Sequence, residues 1–254
     1  MSIDVAILGG VGSSSFTDGD TKIIATPYGD IGVYITHNNG KSIAMIPRHS
    51  GAAEHVPPHM INYRAIIWAI RELGVKRIIA TNSVGTMKGH PIGSFVITDD
   101  FIDLTKSRIS TFYDKETVHV DMTEPYCHII SKCLMDSLDK KGLSYTRGTY
   151  VCTEGPRFET RAEIAMMSTF GDIVGMTGLP EVVLARELEL CYASICTITN
   201  QACGINDNKI TADEVVEELC TKQDILLEIL FDAIDNLPME RDCGCKDATH
   251  GARL

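Results

Sequence analysis

The residues with the clearest chemical potential lie in a short loop at Phe158 and Glu159. Residues 148–153, just before this loop, are of types that favour a β-strand. Thr160 and Glu163 have the spacing of a capping box, so a helix is predicted to begin directly after the loop. An aromatic ring beside a carboxylate suits a flat heterocycle that is stacked on one face and hydrogen-bonded at its edge. The alternative is a surface loop whose polar residues only cap the helix.

Anion-binding groups follow two other predicted strands. Residues 4–8 form an apolar strand that leads into the glycine-rich loop 9–12, where backbone N–H groups can approach an anion closely. The loop is not a Walker A motif, and serine at position 15 breaks the dinucleotide-binding pattern. Another strand ends at Arg48 and His49, where the planar guanidinium fork matches phosphate oxygens. A tight turn and a surface salt bridge are the alternatives for these two features.

Six polar or glycine-rich segments follow predicted strands in this way. In open α/β sheets, ligands bind at the edge where the strands end, so we expect these segments to form one site. The six are residues 9–13, 48–49, 81–83, 158–159 and 176–177, together with Asn200.

Strands and helices alternate along the chain, which predicts an α/β protein. Amphipathic helices are expected over residues 62–73, 127–141 and 210–237. No internal repeat or low-complexity linker interrupts the pattern. We therefore expect a single domain over residues 1–238, with a central mixed β-sheet flanked by helices, and a C-terminal tail over residues 239–254.

The composition argues against several classes of function. The 254 residues are 44% hydrophobic and 22% charged, as in an ordinary globular protein. The formal net charge of −11 disfavours binding to nucleic acid. No apolar run reaches the roughly 20 residues that span a membrane, and the N-terminus lacks the basic region of a signal peptide. We expect a cytoplasmic protein that binds neither nucleic acid nor membranes.

The nine cysteines are scattered, mostly in apolar segments, which indicates buried reduced thiols. Cys243 and Cys245 stand apart because only Gly244 separates them. Zinc would need further ligands, and only His250 is near in the sequence, so no metal site is predicted. A disulfide between the two is an alternative, but we expect an exposed tail.

Taken together, the motifs resemble those of the trimeric purine nucleoside phosphorylase and methylthioadenosine phosphorylase family. The resemblance runs over residues 4–237, nearly the whole chain. It rests on Gly9-Gly10-x-Gly12, Arg48-His49, Asn62-Tyr63-Arg64-Ala65, Glu154-Gly155-Pro156-x-Phe158 and Gly175-Met176-Thr177-x-x-Pro180-Glu181. It implies the nucleoside phosphorylase fold, a homotrimer or homohexamer, and no cofactor besides inorganic phosphate as co-substrate. The polar residues 104–125 are a candidate loop for reaching a neighbouring site.

The resemblance also assigns roles to single residues. One position departs from the family: Val11 stands where a serine or threonine hydroxyl is usual, so Ser13 or backbone N–H groups are expected to replace it. Met176 would lie under the ribose, and Phe158 would stack on the base. The phosphate would be held by Gly10, Ser13, Arg48, His49, Ser83 and Thr177.

The base pocket distinguishes two branches of the family. The branch for 6-aminopurines resembles this chain but carries serine in place of Glu159 and aspartates in place of Asn200 and Ala202. A 6-oxopurine offers a proton on N1 that a Glu159 carboxylate can accept, and the Asn200 amide can bond N7 and O6. Adenine offers a bare N1 lone pair instead, and one mispaired buried polar group costs about 1–3 kcal/mol. We therefore expect 6-oxopurine nucleosides as substrates, with a methylthioadenosine phosphorylase as the alternative.

The predicted reaction is reversible phosphorolysis, with Asn200, Glu159 and His49 as the catalytic residues. Ala212 stands where the nucleoside branch has a histidine for the 5′-hydroxyl, so 5′-methylthioinosine is expected to react besides inosine and guanosine. A nucleosidase that uses water, and a sensor that binds nucleosides without turnover, are the competing hypotheses.

Overall fold

The computed structural model describes residues 3–10, 19–49 and 55–254. These residues form nine strands and five α-helices. The strands are β1 (Val5–Gly9), β2 (Asp20–Ile24), β3 (Ile31–Asn38), β4 (Lys41–Pro47), β5 (Arg77–Thr86), β6 (Phe95–Leu104), β7 (Tyr145–Thr153), β8 (Ile173–Gly175) and β9 (Cys191–Gln201). The helices are α1 (Tyr63–Glu72), α2 (His128–Lys140), α3 (Arg161–Met167), α4 (Glu181–Glu187) and α5 (Ala212–Asp235).

All nine strands belong to one mixed sheet in the order β2-β3-β4-β1-β5-β8-β7-β6-β9. An additional pairing joins β9 back to β5, so five strands of the sheet close on themselves. β1, β4, β5 and β9 are parallel to one another, whereas β6, β7 and β8 run in the opposite direction. This arrangement confirms the predicted central mixed sheet.

Helices cover the sheet on two sides. One cluster of buried side chains packs α1 and α4 against the sheet through residues such as Ile70 and Leu184. A second cluster packs α2 and α5 against it through residues such as Leu134 and Ile229. The apolar face of each helix is therefore buried against β-structure, as an α/β architecture requires.

The predicted helix boundaries rest on capping groups that the structure contains. Asn62 caps α1 by accepting from the Ala65 amide at 3.1 Å. The capping box of α3 is complete, with Thr160 and Glu163 each bonding the other's backbone N–H. Thr211 caps α5, again through its side chain.

Several strands differ from the sequence predictions. β5 runs to Thr86 rather than ending near position 80, and β9 runs to Gln201. The polar residues that were expected to follow these strands therefore lie within them. β2 was not predicted because its side chains are mostly exposed and carry no alternating apolar pattern.

The C-terminal segment is not the exposed tail that the sequence predicted. Cys243 and Cys245 are both buried. Cys243 is the N-cap of a short 3-10 helix, Gly244–Asp247, and Cys245 lies within that helix. The end of the segment pairs with the long polar loop, where Val118 and Arg253 form an isolated bridge. Among the described residues, no helix has the length and apolar character that crossing a bilayer would need.

Candidate active site

A partly open cavity lies where β5, β8 and β9 meet, with about 700 Å³ of empty space including its mouth. This is within the usual size range of small-molecule sites. Most of the predicted site residues line it. They are Gly10, His49, Ser83, Phe158, Glu159, Met176, Thr177, Asn200 and Ala202.

The floor of the cavity is formed where β5 and β9 lose their regular register. The register shifts between Val84 and Gly85, after which Gly85 pairs with Asn200. A β-carbon on Gly85 would lie 3.0 Å from the Asn200 amide nitrogen, so a glycine is needed for this side chain to lie across β5. The Asn200 amide is oriented from both ends, because Oδ1 accepts from the Thr199 hydroxyl at 3.0 Å and Nδ2 donates to the Gln201 carbonyl at 2.9 Å.

Another part of the cavity lining is the loop that holds Phe158 and Glu159. Glu159 is 9% exposed, and its Oε1 accepts from the Thr153 hydroxyl at 2.6 Å. Phe158 is 39% exposed and presents its ring at the mouth of the cavity. The Arg157 guanidinium pairs with Glu163 in the capping box, which fixes the loop to the start of α3. An apolar ring and a buried carboxylate thus face the same space as the Asn200 amide.

Thr177 is held in place by two buried side chains. Its hydroxyl donates to the Asn82 Oδ1 at 2.9 Å. Its backbone N–H and that of Gly178 donate to the Tyr150 hydroxyl at 3.2 and 3.3 Å. The Thr177 side chain is therefore fixed beside Ser83, which lies on the same strand as Asn82.

The fold determines which ring nitrogen of His49 carries the hydrogen. Its Nδ1 lies 2.8 Å from the Val56 carbonyl oxygen, which can only accept, so Nδ1 carries the hydrogen. The ring stacks on His55, with ring centroids 4.9 Å apart. Burial lowers the pKa of His49 to about 4, and the positive charge of Arg48 acts in the same direction. His49 is therefore neutral near pH 7, with Nε2 as an acceptor.

Arg48 does not line the cavity, contrary to the arrangement expected from the sequence. It is 2% exposed and lies beneath Gly10, whose β-carbon would be 3.5 Å from Nη1. The guanidinium pairs with both carboxylate oxygens of Glu181, and Nη1 donates to the Thr81 carbonyl at 3.1 Å. Glu181 raises the pKa of Arg48 despite the opposing effect of burial. The Glu181 carboxylate therefore balances the Arg48 charge beneath Gly10.

Ala212 is also not in the cavity. It is exposed on the first turn of α5, while Ile210 before the helix and Val215 one turn further on line the wall instead. Ser13 lies outside the described residues.

The sequence assigned no role to three residues that position the site, Tyr150, Asn82 and Glu181, although Glu181 belongs to one of the motifs that carry the resemblance. Each is buried and bonds a residue at or beneath the cavity, not a ligand. Asn82 was within a polar segment that had been noted, but nothing in the spacing distinguished it from Ser83. Tyr192, another buried tyrosine, donates to Glu181 at 2.9 Å.

The cavity lies in a mixed sheet of which five strands close on themselves. It combines an aromatic ring, a carboxylate, an amide, hydroxyl groups and a neutral histidine. These features define a small-molecule site of an α/β enzyme. The family model of the phosphorylase superfamily matches residues 4–234. The chain belongs to this superfamily.

Two relatives and one solved structure illustrate the similarity. A probable S-methyl-5′-thioinosine phosphorylase from Methanosarcina acetivorans is 57% identical, covering 99% of this chain and 97% of the relative. The 6-oxopurine nucleoside phosphorylase from Pyrococcus furiosus is 48% identical, covering 98% of each chain. The crystal structure of a methylthioadenosine phosphorylase from an antarctic soil metagenomic library superposes with a TM-score of 0.91 at 31% identity, covering 100% of this chain and 93% of that one.

Proposed function

We propose that the protein catalyses the reversible phosphorolysis of 6-oxopurine nucleosides, giving the free base and a ribose 1-phosphate or 5-methylthioribose 1-phosphate. The observation that carries this proposal is the pair formed by Glu159 and Asn200, which line the same cavity. The names of the two relatives, one for methylthioinosine and one for 6-oxopurine nucleosides, support it.

At the base end, the carboxylate and the amide complement a 6-oxopurine. One Glu159 oxygen is occupied by Thr153, and the carboxylate is an acceptor for the N1 hydrogen of hypoxanthine or guanine. One Asn200 Nδ2 hydrogen goes to the Gln201 carbonyl, and the remaining one would be shared between the acceptors N7 and O6. When the bond between the sugar C1′ and N9 breaks, its electron pair passes to the base, and a hydrogen bond at N7 stabilises the charge that develops. The Phe158 ring covers the base.

At the phosphate end, small polar groups and neutral His49 surround the expected anion. Ser83 offers a hydroxyl, whereas the Thr177 hydroxyl donates to Asn82 and the Gly10 N–H donates to the Thr81 hydroxyl, so both would have to turn toward the phosphate to donate to it. Neutral His49 offers Nε2, which can accept from the O–H of a monoprotonated phosphate. The phosphate oxygen then attacks C1′ from the face opposite the base, and catalysis comes mainly from holding the reactants in line.

At the 5′ end of the sugar, the cavity wall is apolar. Pro58, Ile210 and Val215 line it, and none of them offers a side-chain hydrogen bond to a 5′-hydroxyl. Such a wall favours a methylthio group over a hydroxyl. We expect kcat/KM for 5′-methylthioinosine to equal or exceed that for inosine. A value for inosine at least tenfold higher would contradict the apolar wall.

Assembly and location form part of the same proposal. The described surface carries exposed apolar side chains at Met166 and Phe170, which are 59% and 76% exposed. Exposed apolar patches of this kind favour contacts between chains. A homotrimer or homohexamer in the cytoplasm, working without a cofactor, is the form we propose for the active enzyme.

The test of the reaction class is the identity of the sugar product. With inosine and inorganic phosphate, phosphorus NMR is expected to show a new sugar 1-phosphate that appears in step with free hypoxanthine. Release of hypoxanthine at the same rate without phosphate would identify a nucleosidase instead. Binding of inosine without release of base would identify a sensor.

A further inference from the structure

Four buried cysteines lie together on the side of the molecule that α2 and α5 cover. Their sulfur atoms all lie within 4.8 Å of one another. Cys127 precedes α2, Cys191 begins β9, and Cys243 and Cys245 flank the start of the short 3-10 helix near the C-terminus. Three distant parts of the chain thus converge on one point, which sequence spacing alone did not reveal.

The distances between the sulfur atoms fit a single metal ion. Four thiolates around tetrahedral zinc, with Zn–S bonds of about 2.3 Å, place their sulfurs about 3.8 Å apart. The Cys191 and Cys243 sulfurs are 3.4 Å apart, well beyond the roughly 2.05 Å of a disulfide bond. All nine cysteines of the described chain are free thiols in this structure, and the other five lie outside the cluster.

A cationic side chain and the start of a helix face the cluster. The Arg241 Nε donates to the Cys191 sulfur at 3.3 Å. Cys127 occupies the N-cap of a 13-residue helix, where the helix dipole favours negative charge. Arg241 also offsets part of the negative charge that four thiolates and one divalent ion would leave.

We propose that Cys127, Cys191, Cys243 and Cys245 bind one zinc ion per chain in a closed structural site. Binding converts four thiols and Zn²⁺ into a tetrathiolate complex of charge −2 and releases four protons. Because the four sulfurs fill the tetrahedral positions, no position is open for a substrate or water. The ion therefore serves the fold and takes no part in phosphorolysis.

The site would fasten the C-terminal segment to the body of the protein. Beyond it, the His119 amide donates to the Ala252 carbonyl at 2.8 Å, and Val118 and Arg253 form a bridge. The same long loop carries Arg108, which donates to the Glu154 carbonyl at 2.8 Å, close to the loop of Phe158. A metal at the four cysteines thus supports, through two segments, the wall that covers the base.

The test measures zinc in the full-length protein purified without chelators. We expect about one zinc per chain by elemental analysis. Cys245→Ser should reduce this at least fivefold, whereas Cys196→Ser, at a buried cysteine outside the cluster, should leave it unchanged. Phosphorolysis of inosine at moderate temperature should survive in Cys196→Ser, and thermal inactivation should be faster in Cys245→Ser.

A second measurement does not depend on a variant that folds. Wild-type protein is stripped of metal under reducing conditions and supplied with Co²⁺, and it should develop the intense visible absorption of tetrahedral cobalt thiolate at one equivalent. Failure to bind either metal, with all four thiols reactive, would overturn the proposal. An intact mass short of four hydrogen atoms, which marks two disulfides in the native protein, would overturn it as well.

Discussion

At the residue scale, the proposed preference for 6-oxopurines depends on the Glu159 carboxylate, which cannot donate a hydrogen bond. Glu159→Gln keeps the size of the side chain but allows it to donate to the bare N1 of adenine. We expect the preference for inosine over adenosine, measured as the ratio of kcat/KM values, to fall by about 10- to 100-fold, equivalent to roughly 1–3 kcal/mol. Arg161→Gln, an exposed change just beyond the loop, is the control. An unchanged ratio in Glu159→Gln would remove this residue from base recognition.

The proposed role of Asn200 is to stabilise the departing base, so its loss should affect the chemical step. In Asn200→Ala we expect kcat to fall by about 10²–10³, as on removal of a donor that stabilises transition-state charge, with a smaller change in KM. Thr199→Val, which removes only the hydroxyl that orients the amide, should give an intermediate loss. Steady-state kinetics with inosine would measure both. A rise in KM at constant kcat would show that Asn200 only binds substrate.

The lowered pKa of the buried His49 predicts that the stability of the protein depends on pH. Its folded pKa is about 4, below the ordinary 6.5, because the ring is buried. As the pH falls from about 6.5 to about 4, the unfolded chain takes up a proton that the folded chain resists, so the free energy of unfolding decreases. Urea unfolding at the two pH values should show His49→Gln losing about 1–3 kcal/mol less than wild type. His59→Gln, at an exposed position, should behave as wild type.

The residues that line the cavity were more predictable than those that support them. Glu159, Asn200, His49 and Thr177 stand out in the sequence because polar groups beside strands have few structural reasons to be there. Arg48 carries the same signal, yet its buried partner Glu181 comes from a helix 133 positions away. Pairing over such distances depends on tertiary packing, which no local pattern records.

At the element scale, the contact between two neighbouring strands holds Thr177. Thr177 follows β8, and its backbone N–H donates to the hydroxyl of Tyr150 on β7. Tyr150→Phe keeps the ring but leaves the amides of Thr177 and Gly178 without their acceptor. We expect a loss of about 1–3 kcal/mol in the free energy of unfolding and a higher KM for phosphate. Tyr145→Phe, at an exposed hydroxyl on the same strand, is the matched control. An unaltered KM for phosphate would show that the two amides are held without the hydroxyl.

Strand ends were the least predictable feature among the elements. α3 begins where Thr160 predicted, because a cap is a local interaction. α1 and α5, capped by Asn62 and Thr211, begin within two residues of their predicted starts. β5 and β9 continue through polar residues because each pairs with the other beyond the apolar core, up to Thr86 and Gln201. The length of each of these strands depends on its partner strand. A prediction from the apolar run alone therefore placed the strand ends too early.

At the scale of the whole molecule, one buried ion pair beneath the cavity joins two distant parts of the chain. Arg48 follows β4, and Glu181 begins α4, with both side chains fully buried. Glu181→Gln leaves an unpaired buried charge, and we expect it to lower the free energy of unfolding by about 3–5 kcal/mol. The double variant Arg48→Met with Glu181→Leu should recover much of this loss. Chemical denaturation of the three proteins would measure it, and equal stability of the double and single variants would contradict a charge-based cost.

The double variant also separates the structural role of Arg48 from its predicted role in binding phosphate. If the guanidinium draws the anion toward the glycine loop, the double variant folds but its KM for phosphate rises at least tenfold. A folded double variant with the wild-type KM would assign phosphate binding to Gly10, Ser83, Thr177 and His49 alone.

The most direct test of the central claim compares four substrates at saturating phosphate. They are inosine, 5′-methylthioinosine, adenosine and 5′-methylthioadenosine, each measured as kcat/KM for release of the base. With Glu159 and Asn200 as described, both 6-oxopurine nucleosides should exceed their 6-amino counterparts by about 10² or more. Equal values, or a preference for the 6-amino pair, would contradict the proposed base pocket.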